Sequence, residues 1–254
     1  MPQLSCGPNP AAAMSKDSFE VILLVGRPAS GKSEIIDFPN HTNADDRRRR
    51  FHLGELDMLD DFPMLWTWFE EDDLLSRKLG LARLHTDAEG SFDTPVLWYL
   101  LIKRLSLETH KRLRDPAYHD RTTALIEFSR GSEHGGYREA FLHLSEEILC
   151  RATLIYVRVS FAESLRKNRR RFNPDHPDSM LEHALPDEKL ERLYRDDDLA
   201  ELAPGESGFL EVIGQRMPYA VFENEDDITT GRSDRLGARL ETTLGRLWDL
   251  HMQT

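Results

Sequence analysis

Residues 19–34 read FEVILLVGRPASGKSE, and the fold is decided here. The first seven, FEVILLV (19–25), make an apolar run broken only by Glu20, the pattern of a strand covered on both faces. Gly26, Gly31, Lys32 and Ser33 follow at the spacing G-x-x-x-x-G-K-[ST]. Glycines at those points let the backbone curl until successive N–H groups face inward, at the start of a helix whose first amides lack partners. The spacing predicts a phosphate cradle over Gly26, Arg27, Pro28, Ala29, Ser30, Gly31, Lys32 and Ser33. Lys32 would reach the β- and γ-phosphates, and the Ser33 hydroxyl would ligate Mg²⁺.

Working outward, four further runs read as strands: RFHLGEL (50–56), TTALIEF (122–128), ATLIYVRV (152–159) and PYAVFE (218–223). Helical patterns fall between them. Asp61 is placed to cap a helix beginning at Pro63, and Gly80 to stop it. Thr94 and Pro95 suit the start of another. Ser160 and Glu163 stand at capping-box spacing. Leu236, Leu240, Leu244 and Leu247 repeat at helical spacing and read as core. Strands alternating with helices imply an α/β sheet with parallel pairing through right-handed crossovers. Residues 1–17 read as a loose tail and 18–254 as one domain. Within it, 57–121 and 160–217 are too long for simple crossovers; such excursions from strand carboxyl ends build substrate sites.

Composition narrows the classes. Acidic residues outnumber basic ones, 45 to 33, for a net charge of −12 among 254 residues. That balance argues against broad nucleic-acid binding, which needs excess Lys and Arg to neutralise phosphates. No apolar run reaches the roughly 18 residues of a membrane span, and the first residues lack the pattern of a signal peptide. The two cysteines, Cys6 and Cys150, suggest no disulfide framework, so a reducing cytoplasm is the expected location. The ten histidines show no metal-ligand spacing. A GTPase would carry N-K-x-D, which is absent, and an AAA-type ATPase would end a strand in paired acids, where ALIEFSR offers only Glu127.

With Gly26, Gly31, Lys32 and Ser33 in place, the chain resembles the P-loop kinases of small molecules, the group that includes adenylate, thymidylate and shikimate kinases. The resemblance covers the layout of roughly residues 19–230, and its one tight motif is the phosphate loop. It implies a three-layer fold with five parallel strands in the order 2-3-1-4-5, an acceptor-binding insertion and an arginine-bearing lid. ATP and Mg²⁺ are the implied cofactors, and a small-molecule phosphoryl acceptor, most simply a nucleoside or nucleotide, is the implied partner. A sugar-nucleotide kinase like the zeta toxins is a close variant. A nucleotide-dependent regulatory ATPase or switch is the contrasting reading.

The resemblance also distributes roles. An acid after the second strand orients or deprotonates the acceptor hydroxyl, and Asp57 is the nearest match, with Asp60 second. Asp60 and Asp61 equally suit a helix cap. Glu127, ending the third strand, would hold Mg²⁺ through water or position the acceptor. Arg130 matches the arginine that grips the acceptor's phosphate, with a surface salt bridge as the plainer reading. SLRKNRRRF supplies lid arginines, and helix geometry puts Arg166 and Arg170 on one face with Arg169 beside Arg166. A solvated basic face is the alternative. Asn224, after the last strand, is positioned to touch the adenine or to serve as a turn residue. Phe62, Trp66 and Phe69 fall at i, i+4, i+7, as core or as a stacking wall for the acceptor. His134 reads as incidental. The tetrad Arg47 to Arg50 reads as surface, paired with Asp45 and Asp46.

Overall fold

The computed structural model describes residues 17–171, 184–231 and 233–254. Strand β1 (Val21–Gly26) is buried along its whole length and occupies the middle of the sheet. It is followed by α1 (Lys32–Asn40), α2 (Ala44–Phe51) and β2 (Glu55–Asp60). Helices α3 (Phe62–Leu79) and α4 (Val96–Arg112) make the first excursion, and the single turn α5 (Tyr118–Arg121) leads into β3 (Thr122–Phe128). A 3₁₀ turn at Ser132–His134, then α6 (Gly136–Leu142) and α7 (Glu146–Leu149), precede β4 (Ala152–Arg158). Helices α8 (Phe161–Arg171), α9 (Asp187–Tyr194) and α10 (Leu199–Leu202) come before the hairpin of β5 (Ser207–Val212) and β6 (Gln215–Glu223). Helix α11 (Asp234–His251) closes the described chain.

The six strands form one sheet in the order β2-β3-β1-β4-β6-β5, parallel except for β5 against β6. Strand count and order thus differ from the five expected. The added strand is β5, SGFLEV, an outer strand with exposed and half-buried positions and no continuous apolar run to announce it. Ile213 and Gly214 join it to β6 with φ of 50° and 76°, the paired positive values of a two-residue hairpin turn. The second strand is also displaced. Residues 44–51, ADDRRRRF, are helical, with Asn43 Oδ1 accepting from the Asp46 amide at 2.9 Å. Acids in the first turn and arginines in the last suit the helix dipole there. Of the arginines only Arg49 is exposed, paired with Asp46; Arg48 and Arg50 are half-buried, Arg50 reaching Glu241 at 2.9 Å, and Arg47 Nε is buried.

Alternating residues of the central strands feed two cores. Val21, Leu23, Val25, Ala124, Ile126 and Tyr156 pack against α4, α6 and α7 on one face. Ile22, Leu24, Leu125, Ile155 and Phe222 pack against α1, α2 and the Leu236–Leu240–Leu244–Leu247 stripe of α11 on the other. Helices therefore cover both faces of the sheet. Among the described residues, no helix is long and apolar enough to cross a membrane. The expected tail lies outside the described residues up to position 16, as do positions 172–183 of the expected lid.

Candidate functional site

The carboxyl ends of β1, β3 and β2 come together at one edge of the sheet, below a cavity of about 910 Å³. The glycine loop after β1 forms one wall. Its shape depends on positive φ at Gly26 (156°), Ala29 (56°) and Gly31 (103°). A side chain at Gly31 would also collide with Asn224 and Thr229, at 2.5 and 2.6 Å from a Cβ. Helix α1 starts at this loop with no side-chain cap, so its first amides are left for an incoming anion. Ser30 Oγ is buried with no hydrogen-bond partner among the described residues. The Ser33 hydroxyl lies on an exposed residue that lines the cavity. This donor set fits a phosphate.

Lys32 is buried, and its ammonium donates to Gly26 O at 3.2 Å, Arg27 O at 3.0 Å and Ser129 Oγ at 2.9 Å. Glu127 Oε1 lies 3.7 Å from it. Burial pushes the lysine pKa down and that of Glu127 up. Asp60 is paired in register with Glu127 on the neighbouring strand, and its carboxylate accepts from the Phe62 amide at 2.9 Å. Burial, with the like charges of Glu127 and Asp61, raises Asp60 to about 7. That value suits a group that must take a proton near neutrality. Among the described residues no group of three or more His, Cys, Asp or Glu side chains is set to hold a metal ion. A cation at Glu127 would therefore draw on the Ser33 hydroxyl and on phosphate oxygens.

Opposite the loop stands an aromatic wall. Phe62, Trp66 and Phe69 are half-buried and line the cavity, while the aromatic that α3 buries is Trp68. Phe69 stacks on Phe92 at 6.0 Å between centroids, and Phe92 meets Trp98 edge-on at 4.7 Å. The stripe is thus a cavity wall and not core. Phe92 and Trp98 were not foreseen, since they come from an irregular loop and the first turn of α4.

Several expected site residues lie elsewhere. Because β2 begins five residues later than expected, Asp57 lies mid-strand, and its odd spacing from Asp60 turns it to the opposite sheet face. There it is held by Arg112 Nε at 2.6 Å and the Tyr118 hydroxyl at 2.8 Å, away from the cavity lining. Asp60 occupies the strand end in its place. Asp61 is at the N-cap position of α3 but makes no cap bond; its Oδ2 lies 2.7 Å from Arg130 Nη1. Arg130 lines the cavity but is only 2% exposed, held also by Ser129 O and Trp98 O. Its ion pair with Asp61 is buried, where a surface salt bridge was the plainer expectation.

Asn224 does not face the cavity. It is fully buried and braces the glycine loop, donating to Ser30 O at 2.7 Å and Thr229 Oγ1 at 2.8 Å. Arg166 pairs with Glu163 and Asp227, and Arg169 with Asp187, both outside the cavity lining. Arg170 does line it, bonded to Asp227 at 3.1 Å and Thr230 Oγ1 at 2.6 Å. Arg171, part of the expected arginine cluster, and the buried Lys167, which was missed, line it too. The signal was the i, i+4 spacing of 167 and 171. Arg27 is turned away from the cavity. Its guanidinium donates to the Tyr194, Val159 and Arg195 carbonyls and pairs with Asp197 at 2.8 Å. His134 is buried against Trp98, accepts from the Gly131 amide and is lowered to about 3 by burial, as a structural residue should be.

No protein-family model matches the chain, and no curated protein matches it. A solved structure described as "Crystal structure of APE1195" aligns over 90% of this chain and 98% of its own length, at 16% identity and a TM-score of 0.39.

Proposed function

We propose that the chain is a P-loop kinase that moves the γ-phosphoryl group of ATP to a hydroxyl of a small molecule. The observation that carries this is that one cavity brings together a glycine loop with Lys32, an aromatic wall, and the carboxylates of Asp60 and Glu127. Hydrolysis alone, as in a regulatory switch, needs no second compartment of this kind. The parallel strands β2-β3-β1-β4-β6, with the glycine loop directly after the central one, support the kinase form of the fold.

Residues 26–33 bind the triphosphate through backbone amides and Lys32. Ser33 and Glu127 would hold Mg²⁺, which would neutralise charge on the phosphates. Asp60 is the base in place of Asp57. The acceptor hydroxyl gives its proton to the Asp60 carboxylate as its oxygen bonds to the γ-phosphorus. The bond from that phosphorus to the bridging oxygen breaks, and ADP leaves. Arg171 stands at the same mouth to meet charge on the transferring group, beside Lys167 and Arg170, which are paired with Asp227 at 3.1 Å each. Nucleosides, nucleotides and sugar nucleotides are the acceptor classes to test first.

Incubation with ATP·Mg and pooled acceptors should give acceptor-dependent ADP, and Lys32→Ala should abolish it. Slow hydrolysis indifferent to acceptors and stimulated by a protein partner would show the switch instead.

A further inference from the structure

We infer that the acceptor is an uncharged alcohol carrying a flat ring, and that Asp61 sets this preference by neutralising Arg130. The inference rests on the kinase reading and narrows its substrate.

A site for a phosphorylated acceptor needs a cation that is free to pair with it. Arg130 is the arginine buried in the acceptor half of the cavity, and the protein already uses it. Its Nη1 lies 2.7 Å from Asp61 Oδ2 and donates to Ser129 O at 2.7 Å, and its Nη2 donates to Trp98 O at 3.2 Å. The guanidinium carbon also sits 5.1 Å from the Trp98 ring centroid and 5.5 Å from that of Phe128. Turning it toward a ligand phosphate would strand the buried Asp61 carboxylate beside Asp60 and Glu127.

Among the other cations lining this half, Arg77, Arg83 and Arg192 have acid partners, Arg77 in Asp73 at 3.4 Å and Arg192 in Glu133 at 3.7 Å. Arg83 is paired with Asp73 at 2.7 Å and bonded to Thr86. Lys189 donates to Gly90 O, and Arg192 to Ser91 Oγ at 2.9 Å. A phosphate brought here would meet three carboxylates and cations with partners of their own. A neutral ring would meet the half-buried rings of Phe62 and Trp66, which favour stacking. Its hydroxyl would meet Asp60.

The test is a competition between matched pairs: thymidine with thymidine monophosphate, and adenosine with adenosine monophosphate. ADP formation is read alongside tryptophan fluorescence in the presence of a non-hydrolysable ATP analogue. The unphosphorylated member should win at least one pair by about tenfold or more and lose none. A phosphorylated member that wins any pair, or ring-free sugars that outperform every ring compound, overturns the inference and leaves the kinase reading standing. Absence of acceptor-stimulated ADP from every compound, sugars included, overturns both. Asp61→Asn, which releases Arg130, should move the preference toward the phosphorylated members by about tenfold. An unchanged preference in a folded variant removes Asp61 from the explanation. The wild-type competition decides the acceptor class even if that variant fails to fold.

Discussion

Two aspartates three residues apart on β2 have opposite fates, and the alternation of a strand is the reason. Asp60 faces the cavity with a pKa raised to about 7 by burial and by Glu127 and Asp61. As a base it must be ionised, so phosphoryl transfer should rise with pH and level off above about 7. Its effect on stability has the opposite sign. A folded pKa above the ordinary value of 3.8 means the folded state holds the proton more tightly, so this contribution is present at low pH and is lost as pH rises through about 7. Asp60→Asn should therefore cut transfer by about 10²–10⁴-fold while preserving ATP binding. At pH 8 it should raise Tm, by roughly 2–4 °C for each kcal/mol of relieved burial. A variant that kept transfer would exclude Asp60 as the base. Asp57→Asn is the contrasting case. It weakens hydrogen bonds from Arg112 and Tyr118 at a partly exposed position, so it should cost about 1 kcal/mol in denaturant titration. Transfer should stay within about threefold, because the side chain lies on the other face of the sheet.

At the level of elements, the acceptor wall depends on a loop that has little regular structure. Residues 81–93 are held beneath α3 by the buried Asp72, whose carboxylate accepts from the amides of Leu84 (2.7 Å), His85 (3.0 Å) and Thr86 (2.7 Å) and from Thr86 Oγ1 (2.7 Å). Burial opposes its charge, but these bonds prevail and hold its pKa well below the usual range. His85 stacks on Trp68 at 5.1 Å, and Phe92 is thereby delivered to the cavity. Asp72→Ala should cost about 3–5 kcal/mol and raise the acceptor KM while the affinity for ATP changes little. Equal loss of both affinities would mean the loop supports the whole fold and not the acceptor wall. Nothing in the sequence marks Asp72, since one acid among several on α3 becomes an anchor only when the loop folds beneath it. The same holds across the elements. β1, β3 and β4 were legible because strands buried on both faces need apolar runs. β2 and β5 were misplaced or missed because edge strands do not. The glycine loop was readable from spacing alone. Asp61, which cancels Arg130, was not, because that pairing joins α3 to the end of β3.

Across the molecule, the two halves of the cavity are tied together by α9. At one end of this helix the Tyr194 and Arg195 carbonyls accept from Arg27 of the glycine loop, at 3.2 and 3.0 Å. Along its length Lys189 donates to Gly90 O and Arg192 to Ser91 Oγ, on the loop that carries Phe92. Gly131 permits the close approach behind it, since a Cβ there would lie 1.8 Å from Leu193 O. The helix is thus a strut with the phosphate-binding wall at one end and the acceptor wall at the other. Ordering either wall should partly order its opposite, so a non-hydrolysable ATP analogue should tighten acceptor binding by about 5–150-fold, the usual range of coupling between sites. Linkage requires the acceptor to tighten the analogue by the same factor. Arg27→Met cuts the strut from the glycine loop while leaving Lys32 and Ser33 in place. It should bring both factors toward one, even where the affinity for the analogue itself falls. Calorimetric titration of each ligand with and without the other measures both. Coupling that persisted undiminished in Arg27→Met would assign it to direct contact between the ligands in their shared cavity, and α9 would then be a support without a part in communication.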